Sequence, residues 1–154
     1  MLVSVLGLSI SACNKLETYD ELPIIIESSY ELQKNFAGLD TGLVLKFTYT
    51  DGDGNVGLST RDTMPPYDKN VMVDYFEKQG NDFVKILIPG TTDTLNFNSR
   101  IKEFGVGNPT KAEVSVKIDI GVVIADTVRF DYYILDKDLN KSNVVSTGPI
   151  ALKN

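Results

Sequence analysis

The sequence predicts an all-β fold: an antiparallel β-sandwich of immunoglobulin or fibronectin type with about seven or eight short strands. Three observations carry that prediction. Apolar and polar residues alternate with a period of two in several separate stretches, as strands with one buried face require. Breakers rich in Gly and Pro fall between those stretches, at Gly38 to Gly42, Pro65-Pro66, Pro89-Gly90 and Gly105 to Pro109. No segment combines a helical stripe with capping residues, and the nearest candidate, Tyr30 to Phe36, is short.

The elements follow in chain order. A strand is expected near Pro23 to Tyr30. The next alternates Leu43, Leu45, Phe47 and Tyr49 with Val44, Lys46, Thr48 and Thr50. Val71, Val73 and Tyr75 repeat the pattern before Gln79-Gly80-Asn81-Asp82, a hairpin turn leading into Phe83 to Ile88. Thr94 to Ile101 is a further strand. Val114, Val116, Ile118 and Ile120 alternate with Ser115, Lys117 and Asp119, the cleanest half-buried strand in the chain. Val128, Phe130, Tyr132 and Ile134 do the same, and Val144 to Leu152 closes the set. Two layers would bury these faces against each other.

Composition bounds the function. The chain has 154 residues, enough for one domain with a real core and no disulfide. Its formal net charge of −6 disfavours nucleic acid, whose phosphates need clustered Lys and Arg. It has no histidine and one cysteine, Cys13. A Ser-His-Asp triad, a His-ligated zinc, a Cys-based zinc cluster and an internal disulfide are therefore excluded. Ser59 and Thr60 have no partner base, and no glycine loop opens a helix to cradle phosphate. Arg100-Ile101-Lys102 and Lys111 read as solvated positions. No enzymatic activity is expected.

Met1 to Ala12 is uncharged and mostly apolar, like the core of a secretory signal, and the first basic residue is Lys15. Its end, Ile10-Ser11-Ala12-Cys13, resembles a bacterial lipobox. That resemblance implies cleavage before Cys13 and acylation of Cys13 with diacylglycerol and a further chain such as palmitate. Two or more chains, at ~0.8 kcal/mol per buried methylene, hold a protein to a bilayer durably. The layout is then a signal peptide at 1–12, a lipidated cysteine with a polar tether at 13–21, and a sandwich domain at 22–154. The alternative is a buried first strand with Cys13 as a core thiol.

Two loops are candidate sites. Asp51-Gly52-Asp53-Gly54-Asn55-Val56-Gly57 puts side-chain oxygens at alternate positions of a turn, a spacing that suits a hard cation such as Ca²⁺. It is similar to the first half of an EF-hand loop, with Asp62 at the last ligand position. Val56 stands where that family needs glycine, and Arg61 opposes a cation, so the EF-hand reading fails. The competing reading is a structural turn in which Asp and Asn accept backbone N–H bonds. Asp136-Lys137-Asp138-Leu139-Asn140-Lys141-Ser142-Asn143 repeats the spacing. In a seven-strand layout the two loops share one pole, where Asp51, Asp53, Asn55, Asp136 and Asp138 would surround a cation or brace one another. An eighth full crossing would separate them. Lys137 and Lys141 are expected to neutralise part of the cluster. Tyr132-Tyr133 places one ring on each sheet face, and an exposed tyrosine can stack on a sugar.

The combination of the lipobox, Phe47 to Gly57 and Asp136 to Asn143 resembles a group of uncharacterised Bacteroidetes lipoproteins. The resemblance runs from Cys13 to Leu152. It implies outer-membrane anchoring, facing the periplasm or the surface, and an immunoglobulin-like sandwich; it brings no catalytic residue. The expected function is a non-enzymatic binding or assembly module of the cell envelope, held to the membrane through acylated Cys13. Its partner would be an envelope protein or glycan, met through β edges and the Asp-rich loops. A second reading is a Ca²⁺-dependent adhesion or glycan-binding domain. A third is a carboxylate-based hydrolase, which would need a paired, cleft-buried geometry with split pKa values.

Overall fold

The structure is a computed structural model and describes residues 18–103, 107–121, 123 and 125–153. The predicted signal segment, Cys13 and the start of the tether lie outside the described residues. The all-β prediction holds. Among the described residues eight strands form, β1 (Ile24–Lys34), β2 (Asp40–Asp51), β3 (Val71–Gln79), β4 (Asp82–Lys85), β5 (Thr110–Asp119), β6 (Thr127–Ile134), β7 (Val145–Ser146) and β8 (Ile150–Ala151). One sheet has the order β1-β2-β5; the other runs β4-β3-β6-β7, with β8 also paired to β6. The described pairings are antiparallel.

Alternation explains the packing. On β2 the inward residues Leu43, Leu45, Phe47 and Tyr49 are buried, as are Val71, Val73 and Tyr75 on β3 and Val128, Phe130, Tyr132 and Ile134 on β6. Each such side chain contributes roughly 1.5–3 kcal/mol by leaving water. The layers meet through rings: Phe47 on β2 lies 5.5 Å from Tyr132 on β6, and Tyr75, Phe97 and Phe130 form a second aromatic cluster.

Three expectations need correction. The strand expected near Pro23 to Tyr30 runs further, through most of the Tyr30 to Phe36 stretch, which, as expected, is no helix. Strand β1 continues to Lys34 because Tyr30 and Leu32 pair with Leu45 and Leu43, extending the same face. Thr94 to Ile101 forms only isolated bridges, Thr94 with Leu87, Asn96 with Asp74 and Ser99 with Val71. Between the last two the Asn98 side-chain oxygen accepts from Val73 N (2.8 Å), so a side chain interrupts the ladder. Val144 to Leu152 splits into β7 and β8, because Thr147 Oγ1 takes the Phe130 N–H and Gly148 turns with positive φ.

The predicted Gly80-Asn81 turn is present, with Gln79 paired to Asp82. Short β4 and the 94–101 stretch both run antiparallel beside β3 and together make one interrupted crossing. The described residues thus cross the sandwich seven times, which brings the loops after β2 and after β6 to one pole. Asp20 belongs to that pole, where Gly52 N donates to its carbonyl (2.7 Å). Lys153 is at the other, paired with Asp40 in both directions along the backbone and side chain.

Candidate functional site

The first loop begins at the last residue of β2. Asp51 is fully buried, and its Oδ2 accepts from Val56 N (3.0 Å), closing the turn. The glycines are there for the segments that cross them. A Cβ on Gly52 would meet the Tyr19 and Asp20 carbonyls, one on Gly57 would meet the Glu103 backbone, and one on Gly54 would strike the Asn108 carbonyl. Gly54 also has φ +68°, a conformation that favours glycine. Asn70, buried behind the loop, donates to Val56 O (2.5 Å) and accepts from Ile101 N (2.7 Å), tying the loop to the chain returning beside β3.

The second loop is closed by Asp136. Its two oxygens accept from the Asn140 backbone (2.7 Å) and side-chain (2.8 Å) nitrogens, while Leu139 takes φ +64° at the tip. Ser142 Oγ accepts from Ile134 N (3.0 Å). Asn143 reaches β1, bonding both the N–H and the C=O of Ile25.

The loops touch. Asn55 Nδ2 donates to Asp53 Oδ2 (2.8 Å) and to Asp138 Oδ2 (3.0 Å), and Lys137 N donates to Asn55 O (3.3 Å). Asp51, Asp53, Asn55 and Asp138 are therefore drawn together, whereas Asp136 is engaged in its own loop. Among the described residues, Asp51 Oδ1 and Asn55 Oδ1 are buried without a hydrogen-bond partner. Burial and the adjacent Asp53 carboxylate push the Asp51 pKa up to about 6, against the opposing Val56 and, more weakly, Asn55 backbone N–H groups. Burial, with the Asp51 charge, pushes Tyr49 up to about 12.

The lysines do not behave as expected. Lys137 pairs with Glu103, and Lys141 Nζ lies 3.8 Å from the centre of the Tyr133 ring. Among the described residues neither forms a salt bridge to Asp51, Asp53 or Asp138. Tyr133 is thereby covered by an ammonium group, while Tyr132 is core. Asp62 closes a separate turn by accepting from Ser59 N (2.6 Å), and that bond lowers its pKa. Nor is Arg100-Ile101 a solvated pair: Ile101 is in the core, and the Arg100 guanidinium donates to the Ser59 and Asp62 carbonyls.

Asn70, Asn98 and Asn143 carry long-range bonds that the sequence did not signal. For Asn143 the only hint was its place in the Asn-x-Ser-Asn run. No family model, curated protein or solved structure matches this chain.

Proposed function

We propose that the protein is a non-enzymatic binding or assembly module of the bacterial cell envelope, tethered to the outer membrane through acylated Cys13. The supporting observation is where the chain enters the domain. Asp20 is fixed to Gly52 at the acidic-loop pole, and the six residue steps from Cys13 to Tyr19 reach at most ~20 Å. On this reading the two acidic loops face the bilayer, and the β1–β2 hairpin, with Phe36 fully exposed, points away. The twelve residues of β2 would hold that end about 40 Å further out.

The strand orders β1-β2-β5 and β4-β3-β6-β7 support an immunoglobulin or fibronectin-type layout. Edge strand β1 offers a contact edge beside a crevice. Ser28, Ser29 and Tyr30 line a crevice of ≈ 310 Å³ with Tyr132, Ser146 and Thr147. The outer face of edge strand β5 carries Lys111, Glu113, Lys117 and Asp119, charges that discourage strand addition. The hydrolase reading finds a carboxylate with a raised pKa in Asp51, but that side chain is fully buried and out of a substrate's reach.

The test is fractionation of cells making the wild type or Cys13→Ser. The tethered reading expects wild-type protein in outer-membrane fractions and a soluble Cys13→Ser. Equal partitioning of both would overturn it.

A further inference from the structure

We propose that Asp51, Asp53, Asn55 and Asp138 form a Ca²⁺ site whose metal-free state is held together by the Asn55 amide. The inference rests on the two loops alone and does not require acylation of Cys13.

The argument begins with an unpaired oxygen. Asp51 has 0% exposure, and its Oδ1 has no donor among the described residues, beside the Asp53 carboxylate. A buried carboxylate oxygen without a partner is costly, and folded proteins rarely leave one without a reason. A hard cation bound by oxygen would satisfy it.

The second part is the place of Asn55. Its NH₂ group bridges Asp53 Oδ2 and Asp138 Oδ2, doing with two N–H bonds what a cation does with charge. Its own Oδ1 is buried and unpartnered. Turning the amide over would take the donors away from the carboxylates and bring a carbonyl oxygen to them. That arrangement is repulsive unless a cation enters with it. Among the described residues no three carboxylates converge as a metal shell, so on this proposal the loops close in as the cation enters. Three carboxylates and one amide oxygen would supply four of the six to eight oxygens Ca²⁺ takes, with water filling the rest.

Charge favours the site as well. Lys137 and Lys141 are engaged by Glu103 and Tyr133, so among the described residues no salt bridge from either competes for the three carboxylates. Asp136 is not a ligand in this scheme; it shapes the loop that presents Asp138.

Terbium substitutes for Ca²⁺ and emits when a nearby tyrosine is excited. The chain has no tryptophan, and Tyr49 is close enough to Asp51 for its hydroxyl to sense that charge. Titrating the full chain with Tb³⁺ should give saturable emission that Ca²⁺ reverses at about 0.1–1 mM, the range of extracellular Ca²⁺ modules. Ca²⁺ alone should raise the melting temperature. Asp53→Asn and Asp138→Asn are loop-surface changes that leave the core intact, and each should weaken binding about tenfold or more. Asp68→Asn at the same pole should bind like the wild type, and so should Cys13→Ser. Circular dichroism checks that each variant is folded. Absence of saturable emission, or unchanged affinity in both Asp53→Asn and Asp138→Asn, would overturn the site. Equally good competition by Mg²⁺ would overturn its assignment to Ca²⁺.

Discussion

Asn143 pairs with Ile25 as a strand would: its Oδ1 accepts from Ile25 N (2.8 Å) and its Nδ2 donates to Ile25 O (3.0 Å). The two residues are 118 positions apart and belong to opposite halves of the sandwich. Ile25 opens the β1 bulge, where pairing with β2 shifts by one residue. The side chain thus replaces a missing strand neighbour at the point where the ladder is irregular.

Removing that side chain should be felt as two lost bonds. Asn143→Ala is expected to destabilise the fold by about 2 kcal/mol, because each bond is worth ~1 kcal/mol net. Asn143→Asp keeps the acceptor for Ile25 N but sets a carboxylate oxygen against the Ile25 carbonyl, so it should lose at least as much. Thermal denaturation of the two variants beside the wild type checks the order; an unchanged melting temperature for Asn143→Ala would contradict it.

Asp40 sets an acid limit at the opposite pole. Lys34 Nζ (2.5 Å) and Lys153 N (2.7 Å) both bond its carboxylate, holding its pKa below the usual range. A depressed folded-state pKa means stability that is complete above the unfolded value of 3.8 and lost as pH falls through the lower folded value. Asp40→Asn should therefore be less stable than the wild type at neutral pH, with the difference shrinking in acid. Melting temperatures measured from neutral pH downward show whether the curves converge; parallel curves would refute the linkage.

Two glycines separate conformational strain from collision. Gly54 and Gly80 both have positive φ, +68° and +63°. A Cβ at Gly80 meets nothing within 4 Å, whereas one at Gly54 strikes the Asn108 carbonyl. Gly80→Ala should cost about 1–2 kcal/mol, the strain alone. Gly54→Ala should cost that plus displacement of the 107–109 segment, about 3 kcal/mol or more in all. Equal losses in urea denaturation would show that the loop can shift without penalty.

The readable parts of the fold depend on local physics. Leu43 to Tyr49 and Val128 to Ile134 announce strands because one buried face imposes a period of two. The meeting of the two Asp-rich loops follows from the number of crossings, and Asn55 bonded to Asp138 bears it out. The parts that were not readable depend on residues far apart in sequence. Nothing local distinguishes Asn98, which breaks a ladder, from an asparagine in a turn. Lys137 and Lys141 look like counter-ions for Asp136 and Asp138, yet Glu103 and the Tyr133 ring engage them. Asp136 and Asp51 open the same Asp-x-Asp-x-Asn spacing, but Asn140 satisfies one while the other keeps a bare oxygen.

The tether is the claim on which the proposed role stands. Mass spectrometry of detergent-extracted protein, after iodoacetamide treatment, reads the state of the thiol directly. The proposal predicts a mature chain that starts at Cys13, carries a diacylglyceryl thioether and an amide-linked acyl group, and has no alkylated thiol. A chain extending upstream of Cys13, with that cysteine alkylated by iodoacetamide, would contradict it.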